Sequence, residues 1–588
     1  MQLRVQRKIP LAMLDILFGS EQILAIMRGS GTHIPALDII ARLVPFTQDV
    51  DRIKAIIAAA LPVNYAGNTL EEVERMVSGA LSKDFDKPTR TAQSQSAVAL
   101  KEVQRNGIEA VADQNGEVFV GIPQAAGGVI YHQLRSTPSK AFFRLMVIRS
   151  TGKPLKQEPL TELLDLLEAH ALHTLPPVAI HLRWARDGDQ LVLDPGWPNA
   201  DRILVKHSGW TIGRAEHVRF RRPSGFGALP LPGTGKGLGR LTRLLGLEGR
   251  NAILFIIFLM NCMRPNGPYM FLMIEGVQGS GKSALSTVIR RIVDPNAVPK
   301  GRLPKNEHEL MIIASENFLL LFDNTSGMRW DMSDSLCAIA TVSGFSTRKY
   351  YTDNELRTFL VCRPVLLNGI GQFADRPDLL ERSIQLHLPK MPNEKRLTVK
   401  QLADELEKLL PDVLGELLSA TSAALASIDV IPPPKGVRMA DAAHWAVAGE
   451  SALGFESGTV LASLIGDQQE TMIDRALGDP LVLAFIEIVQ EARLSPVGDR
   501  YRGRVSELLK ALRKDDRYTE KWVPGTPAHL SNQLKRLIPA FATLGVAISF
   551  PPRNNRGQEI EITFVPDGIA ANMDDSGPRG VAGMKSRI

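Results

Sequence analysis

The sequence predicts a multidomain α/β protein: a parallel-sheet core around a phosphate-binding loop, a mixed α/β region before it, and a small helix–helix–hairpin domain after it. Three observations carry the prediction. The apolar run PYMFLMI leads directly into GVQGSGKS (276–283) and then into the helical pattern ALSTVIRRIV. Between residues 100 and 220 the pattern switches from helical spacing to short β-type runs divided by Gly, Pro and Asp. Residues 504–564 read as two helices followed by two alternating strands. At 588 residues the chain exceeds what one core supports, so several domains are expected.

In chain order, residues 1–95 are expected to be helical. IPALDIIARLVPF and DVDRIKAIIAAAL space their apolar residues on one helical face, and NTLEEVERMVSGAL opens with Asn68 as a cap and an acidic first turn. Residues 96–220 form the mixed α/β region. GEVFVGI, FFRLMVI, PVAIHLRW, QLVLDPG and ILVKHSGWTI are expected strands, and EPLTELLDLLEAHAL is an expected helix. Residues 221–240, rich in Gly and Pro, read as a linker. The linker contains GTGKG (233–237), which lacks a preceding strand and a hydroxyl after Lys236, so it is not taken as a phosphate loop. The core is expected over 241–430 and a helical connector over 431–498. A basic domain follows over 499–565, with a disordered polar tail over 566–588.

Composition excludes several classes. A hydrophobic share of 44% with 22% charged residues is that of an ordinary soluble globular protein. Cys262, Cys337 and Cys362 are widely spaced and form no CxxC pair, so neither a structural zinc nor a disulfide framework is expected, and a cytoplasmic location fits. The longest apolar run, AILFIIFLM (252–260), falls short of the roughly 20 residues of a membrane span. Asp15 interrupts IPLAMLDILFG, so no signal peptide is read. Net charge is +6, unevenly distributed: residues 500–556 hold twelve Lys and Arg against four Asp and Glu. A basic excess confined to one segment is an electrostatic footprint for a phosphate backbone.

Gly276-Val-Gln-Gly279-Ser280-Gly281-Lys282-Ser283 fits the GxxxxGK[ST] pattern, between a strand and a helix. Glycines let successive backbone N–H groups, here through Ser280 to Ala284, curl round a phosphate at a helix N-terminus. Lys282 then neutralises the β- and γ-oxygens of ATP, and the Ser283 hydroxyl ligates Mg²⁺. NFLLLFDN (317–324) supplies a buried strand ending in Asp323, a carboxylate able to hold the metal through water. RPVLLNG (363–369) ends a third strand in Asn368, suited to positioning the lytic water or sensing the γ-phosphate. RPDLLERSIQLHLP (376–389) sets Arg376 and Arg382 on either side of a short helix. Either arginine can reach a neighbouring subunit's γ-phosphate, or pair within the chain with Asp375, Asp378 or Glu381. Asn324, not a second acid, follows Asp323, which leaves Glu275 and Glu316 as candidates for the catalytic base.

That order of phosphate loop, LLLFDN, strand-end Asn and DLLERSI arginine resembles the AAA+ ATPases of the superfamily 3 helicases. More specifically, it is similar to the phage and plasmid primase-helicase ATPases of mobile elements. SDSLCAIATVSGFSTRKYYTDNE, RPVLLNGI, RPDLLERSIQLHLP and RMADAAHW (438–445) carry the likeness, which covers residues 250–565. The resemblance implies a P-loop AAA+ parallel-sheet core, a hexameric ring and ATP sites between subunits. It implies Lys282 and Ser283 on phosphate and Mg²⁺, Asp323 as the metal acid, and Asn368 as sensor. Arg382, in the LLxRxI position, is the implied trans finger, with Arg376 second. The function implied is that of an ATP-driven DNA helicase or replication-initiation ATPase, with a separate primase or initiator as partner. The alternative is a DNA-associated AAA+ switch or loader that separates no strands.

Two segments are candidates for DNA contact. STRKYY and ELRTFLV read as strands around TDNE, with Arg348 and Lys349 on the flank and Tyr350 or Tyr351 able to stack on bases. The acidic tip, Asp353 and Glu355, grips phosphate poorly and favours the switch reading. In the basic domain, RVSELLKALRK and TPAHLSNQLKRLIPAFATLG are helices, the second capped by Thr526 with Pro527 at its first position. VAISF and EIEITFV form a hairpin around PPRNNRGQ, which completes a winged helix. The second helix offers His529, Asn532, Gln533, Lys535 and Arg536 to a major groove, and the wing offers Arg553 and Arg556.

Overall fold

A computed structural model describes residues 26, 32–44, 49–62, 65–82, 94–341, 345–348, 356–359, 361–369, 376–392, 394, 396–478, 481–485, 500–514, 524–552 and 557–564. The chain forms two compact units, residues 1–107 with 141–166, and residues 108–140 with 167–588. The expected tail 566–588 lies outside the described residues.

In the first unit, helices α1 (His33–Leu43), α2 (Val50–Ala60) and α3 (Val73–Ser82) close around Ile39, Ile40, Ile53, Ile57 and Val77. The Asp49 carboxylate caps α2 by accepting from Arg52 N at 3.1 Å. Asn68 does not cap α3. The Thr69 hydroxyl is drawn into a buried cluster with Thr32 (2.8 Å) and Tyr65 (2.5 Å), which holds 68–72 as a turn and delays the helix to Val73. Helix α4 (Gln95–Arg105) starts at Ser94, whose hydroxyl accepts from Ala97 N.

FFRLMVI is not a strand but part of helix α5 (Thr137–Thr151), which crosses the boundary between the units, as does α6 (Gln157–His173). Phe143 and Val147, four residues apart, are buried while Leu145 and Ile148 are exposed. That is burial on one helical face, which a continuous apolar run conceals.

The second unit begins with an antiparallel sheet of β1 (Ala110–Ala112), β2 (Val118–Pro123) and β3 (Val129–Gln133). Two short strands, β4 (Ile180–His181) and β9 (Arg219–Phe220), pair in parallel. Between them, β5 (Trp184–Asp187), β6 (Gln190–Leu193), β7 (Arg202–Lys206) and β8 (Gly209–Gly213) make a four-stranded meander. ILVKHSGWTI is therefore a hairpin, with Lys206 opposite Gly209.

The core follows: α7 (Leu238–Leu244), α8 (Gly249–Cys262), β10 (Phe271–Gly276), α9 (Lys282–Val293), α10 (Glu307–Glu316), β11 (Leu320–Thr325) and α11 (Trp330–Ala340). It continues through the antiparallel pair β12 (Phe345–Arg348) and β13 (Leu356–Phe359), then β14 (Val365–Gly369), α12 (Pro377–Leu380), β15 (Ser383–Leu388), α13 (Val399–Ser427), α14 (Ala440–Ala448) and α15 (Thr459–Gly478). The four-stranded sheet has order β11-β14-β10-β15, all parallel, and Gly301 bridges the outer edge of β11. Leu272, Ile274, Leu321, Leu366 and Leu386 face a core shared with α8, α9, α13 and α14. Phe271, Met273, Phe322 and Leu367 face a second core under α10 and α11. Strands buried on both faces explain the unbroken apolar runs.

The segment 221–240 is pinned rather than a free linker. Lys236 pairs with Glu416 on α13, and Glu416 Oε2 accepts from Gly237 N (2.8 Å) and Leu238 N (2.9 Å). GTGKG thus wraps a carboxylate of its own chain. Helix α13 is also long and apolar enough to cross a membrane by length and composition, and 67% of its most apolar window is buried in the protein.

At the C-terminus, α16 (Val505–Lys514) and α17 (Pro527–Thr543) pack on a sheet in which β18 (Glu559–Phe564) pairs with both β16 (Arg500–Arg504) and β17 (Val546–Ser549). Leu508, Leu534, Phe541, Ile548, Ile560 and Ile562 form the core, joined by Val482 and Phe485. Thr526 caps α17 as expected, accepting from His529 N at 3.2 Å. Strand β16, RYRGR, carries no apolar alternation. It is held across the sheet by Arg502, which pairs with Glu559 (3.0 Å) and Glu561 (3.2 Å), so part of the basic excess is neutralised internally.

Helix α15 lies along the edge strand β15, where buried Asp467 accepts from Gln385 N at 3.1 Å. Burial pushes the Asp467 carboxyl up to about 7, the Gln385 amide and Arg250 opposing and Glu470 adding to the rise. The folded state keeps its proton after the unfolded chain has lost it, so stability falls as pH rises from about 4 to about 7. Asp467→Asn should remove that fall. The melting temperature of the variant relative to the parent should rise across this window in a thermal-melt series, and a constant offset would refute the assignment.

Candidate active site

Strand β10 delivers Gly276 to the carboxyl edge of the sheet, and α9 begins six residues later at Lys282. Gly279 (φ 82°) and Gly281 (φ 88°) take left-handed conformations that L side chains rarely adopt, which lets the turn close onto the N-terminus of α9. The Ser280 hydroxyl is buried with no partner. Lys282, 8% exposed, folds back on its own loop, donating to Gly276 O (2.7 Å) and Val277 O (3.0 Å). Burial lowers its pKa, and Asp323 opposes. A glycine turn at a helix N-terminus with an unpartnered hydroxyl and an ammonium resting on carbonyls suits a phosphate chain.

Ser283 Oγ donates to Asp323 Oδ1 at 3.0 Å, and Lys300 Nζ pairs with Asp323 Oδ2 at 3.0 Å. Burial pushes the Asp323 carboxyl up, but hydrogen bonds from Lys300, Asn368 and Ser283 outweigh it and hold the group below its ordinary value. A hydroxyl and a carboxylate are hard oxygen donors, so Ser283 and Asp323 fit Mg²⁺. Asn368 is fully buried behind them. Its Oδ1 accepts from Asn324 N (3.3 Å) and its Nδ2 donates to Ser286 Oγ on α9 (2.8 Å), tying β11, β14 and α9 together.

Glu275 is not brought to this group. Side chains alternate along β10, and Glu275 follows Ile274, which faces α9, so it emerges on the opposite face, with its carboxylate 3.8 Å from His387. Burial raises its pKa, His387 opposing and Asp474 adding to the rise. Glu316 is also removed from the site. It ends α10 before β11 begins, pairs with Arg221 at 2.8 Å, and so lies at the end of β11 opposite Asp323.

Both arginines sit in intrachain pairs. Arg382 donates to Asp378 (3.1 Å) and keeps a buried Nε without a partner. Arg438 also binds Asp378 (2.7 Å) and Glu381 (2.8 Å). Arg376 pairs with Asp334 and lies over the Trp330 ring. Ser383 is level with Phe271, whereas Leu388 is level with Gly276. Arg382 therefore stands at the far end of the sheet from its own loop, about 20 Å by strand rise.

Two cations escaped the sequence reading. Lys300 is held over Asp323 because Gly301 bridges β11, with Gly301 N on Leu321 O and Asp323 N on Gly301 O. Arg396 Nη2 donates to Gly279 O at 3.4 Å. Neither lies in a periodic segment, and the only sequence signal is a Lys-Gly step in an otherwise irregular stretch.

Among the candidate DNA contacts, β12 and β13 pair as expected, with Arg348 opposite Leu356. Lys349, Tyr350, Tyr351, Asp353 and Glu355 lie outside the described residues, as do Asp375, Arg553 and Arg556. On α17, His529, Asn532, Lys535 and Arg536 are exposed opposite buried Leu530 and Leu534, while Gln533 is half-buried. Lys535 Nζ lies 5.2 Å over the Phe550 ring.

Residues 239–470 match the family model of the actinomycete integrative conjugative element replication protein (AICE RepA), and residues 481–574 match the model of the AICE RepA C-terminal domain. Solved structures that match include the active helicase Cch of SCCmec type IV, at 12% identity over 79% of this chain and 95% of that one, with a TM-score of 0.40. The apo A form of the NrS-1 C-terminal region matches at 13% identity over 79% and 99%, TM-score 0.37, and JCV helicase at 12% over 40% and 65%, TM-score 0.19. No curated protein matches.

Lys300 occupies Asp323 Oδ2, so a divalent cation bound there would have to compete with it. Lys300→Met should tighten Mn²⁺ binding several-fold, read by electron paramagnetic resonance titration. An unchanged affinity would show that the ammonium does not compete.

Proposed function

We propose that this chain is an ATP-hydrolysing, ring-forming DNA helicase or replication-initiation ATPase of an integrative mobile element, acting in the cytoplasm. The observation that carries the reading is the 3.0 Å contact between Ser283, at the start of α9, and Asp323, at the end of β11, beside the Gly276–Ser283 loop. The match of residues 239–470 to a mobile-element replication protein supports the replication context.

On this reading the core is a P-loop AAA+ domain. Backbone amides from Gly279 to Ala284 and the N-terminus of α9 bind the phosphates of ATP. Lys282 leaves the carbonyls of Gly276 and Val277 for the β- and γ-oxygens. Ser283 and Asp323 hold Mg²⁺, which supplies positive charge to the oxygens of the transferring phosphoryl group. Asn368, bonded to Asn324, Ser286 and Asp323, acts by holding Asp323 in register with α9. Arg382 cannot serve its own loop and acts on a neighbouring subunit's γ-phosphate. Arg438 keeps Asp378 paired when Arg382 leaves it. The ring, a hexamer, works with a separate primase or initiator.

The C-terminal domain is read as a winged helix. Its strand–helix–helix–hairpin order and the exposed polar face of α17 support placing Asn532, Lys535 and Arg536 on DNA. Arg553 and Arg556, which fall between β17 and β18 in the sequence, and Arg348 and Lys349, at and just after the end of β12, join them on this reading. A switch or loader that separates no strands is the second reading, favoured by the acidic residues Asp353 and Glu355 in the sequence between β12 and β13.

The test is ATP hydrolysis with and without single-stranded DNA, alongside unwinding of a forked duplex. Stimulation with strand separation is expected, and hydrolysis indifferent to DNA would leave the switch. Lys282→Ala should lower turnover on the order of a hundredfold or more. Arg382→Ala should lower it on the order of a thousandfold with nucleotide binding retained. Mixing the two variants should restore activity at mixed interfaces, and no recovery would remove Arg382 from the trans role.

A further inference from the structure

A cavity of about 550 Å³ lies between the β1–β3 sheet and the β5–β8 meander. Its lining includes Gln124, Val129, Tyr131, Ala200, Arg202 and Arg214, and no residue of the glycine loop.

Backbone strain singles the cavity out. Among the described residues, two that are not glycine have positive φ: Asn324, beside Asp323, and Ala200 (φ 54°), on the cavity wall. Such conformations persist only where the surroundings enforce them, and they concentrate at functional sites. Facing Ala200 is the turn Gly127–Gly128, also at positive φ. A Cβ on Gly128 would come 2.6 Å from Ala200 Cβ and 2.7 Å from Arg214 Nη1. Side chains are excluded from the turn so that the Arg214 guanidinium can lie against it.

Charge identifies the kind of ligand. Fully buried Asp194 is shared by Arg222 (2.7 Å) and Arg202 (3.4 Å), and Arg214 pairs with Asp201 (2.9 Å). The lining itself carries two guanidiniums, Arg202 and Arg214, against one carboxylate, Glu216, with Arg214 and Glu216 both exposed. An excess of forked guanidiniums selects phosphate, and the Val129, Val218 and Tyr131 walls accept a flat apolar body. The volume lies within the roughly 300–1,000 Å³ of small-ligand sites.

We infer that this cavity binds one nucleotide unit, its phosphate on Arg214 with Arg202 behind and its base against Val129 and Val218. The unit comes from single-stranded DNA or from a free nucleotide, which share this chemistry. The inference does not rest on the ATPase reading.

The test is photo-crosslinking of the full chain, without ATP or Mg²⁺, to an oligo(dT) carrying 4-thiothymidine and separately to 4-thio-dTMP, with adducts mapped by mass spectrometry. Adducts within 123–131 or 200–218 are expected. Oligonucleotide adducts alone identify a strand, and adducts with both probes identify the mononucleotide. Arg214→Glu should cut them at least tenfold while a fluorescent ATP analogue still binds as to the parent, which reports the glycine loop separately. Val129→Trp, which fills the cavity from a half-exposed position, should do the same and guards against misfolding of the first variant. No adduct in either segment, or adducts insensitive to both substitutions, overturns the proposal.

Discussion

Asp294, the buried residue at the C-terminal end of α9, accepts hydrogen bonds from three directions. Its Oδ1 takes Arg183 Nε at 2.7 Å, and its Oδ2 takes Phe318 N and Leu319 N at 3.1 Å and Arg290 Nη1 at 3.2 Å. Burial pushes its carboxyl up, and Arg183 and Arg290 outweigh that to hold it below its ordinary value. Arg183 is wholly buried and also donates to Gly227 O and Pro295 O. One carboxylate therefore joins the end of α9, the entry to β11 and the meander region. Ser283 lies in the first turn of α9 and Asp323 within β11, so the network at the opposite ends of these elements constrains how the two residues approach each other.

A buried ion pair of this kind adds little net stability over an apolar replacement, because desolvation offsets the Coulomb attraction. Removing one partner is different, leaving an uncompensated buried charge at a cost of about 3–5 kcal/mol. The network therefore specifies one arrangement of helix against sheet. Asn368 repeats the device nearer the loop, tying Asn324 on β11 to Ser286 on α9.

The parts of the site that were legible are those in which local chemistry and position coincide. Gly279, Gly281, Lys282 and Ser283 are required by one turn of backbone, and Asp323 ends an apolar run that only a buried strand explains. Glu275 was misleading because its place next to Gly276 says nothing about which face of β10 it leaves by. Lys300 was invisible because its role depends on Gly301 adding itself to the edge of β11, a contact between segments some twenty residues apart. Strand β16 was missed for the same reason, since RYRGR is held by Glu559 and Glu561 on β18 and not by an apolar pattern of its own.

By itself, the sequence determined a strand–glycine loop–helix unit, the buried strands around it, and a basic C-terminal domain of two helices and a hairpin. These are local features, set by φ preferences, hydrophobic period and charge within a few turns of chain. Tertiary structure decided that FFRLMVI is helical, that 221–240 is anchored on Glu416, and that Arg382 stands at the far end of the sheet from its own loop. It also placed Arg202, Arg214 and Ala200 around one cavity. Each of these outcomes is set by partners distant in sequence, through burial and charge pairing that no local window contains.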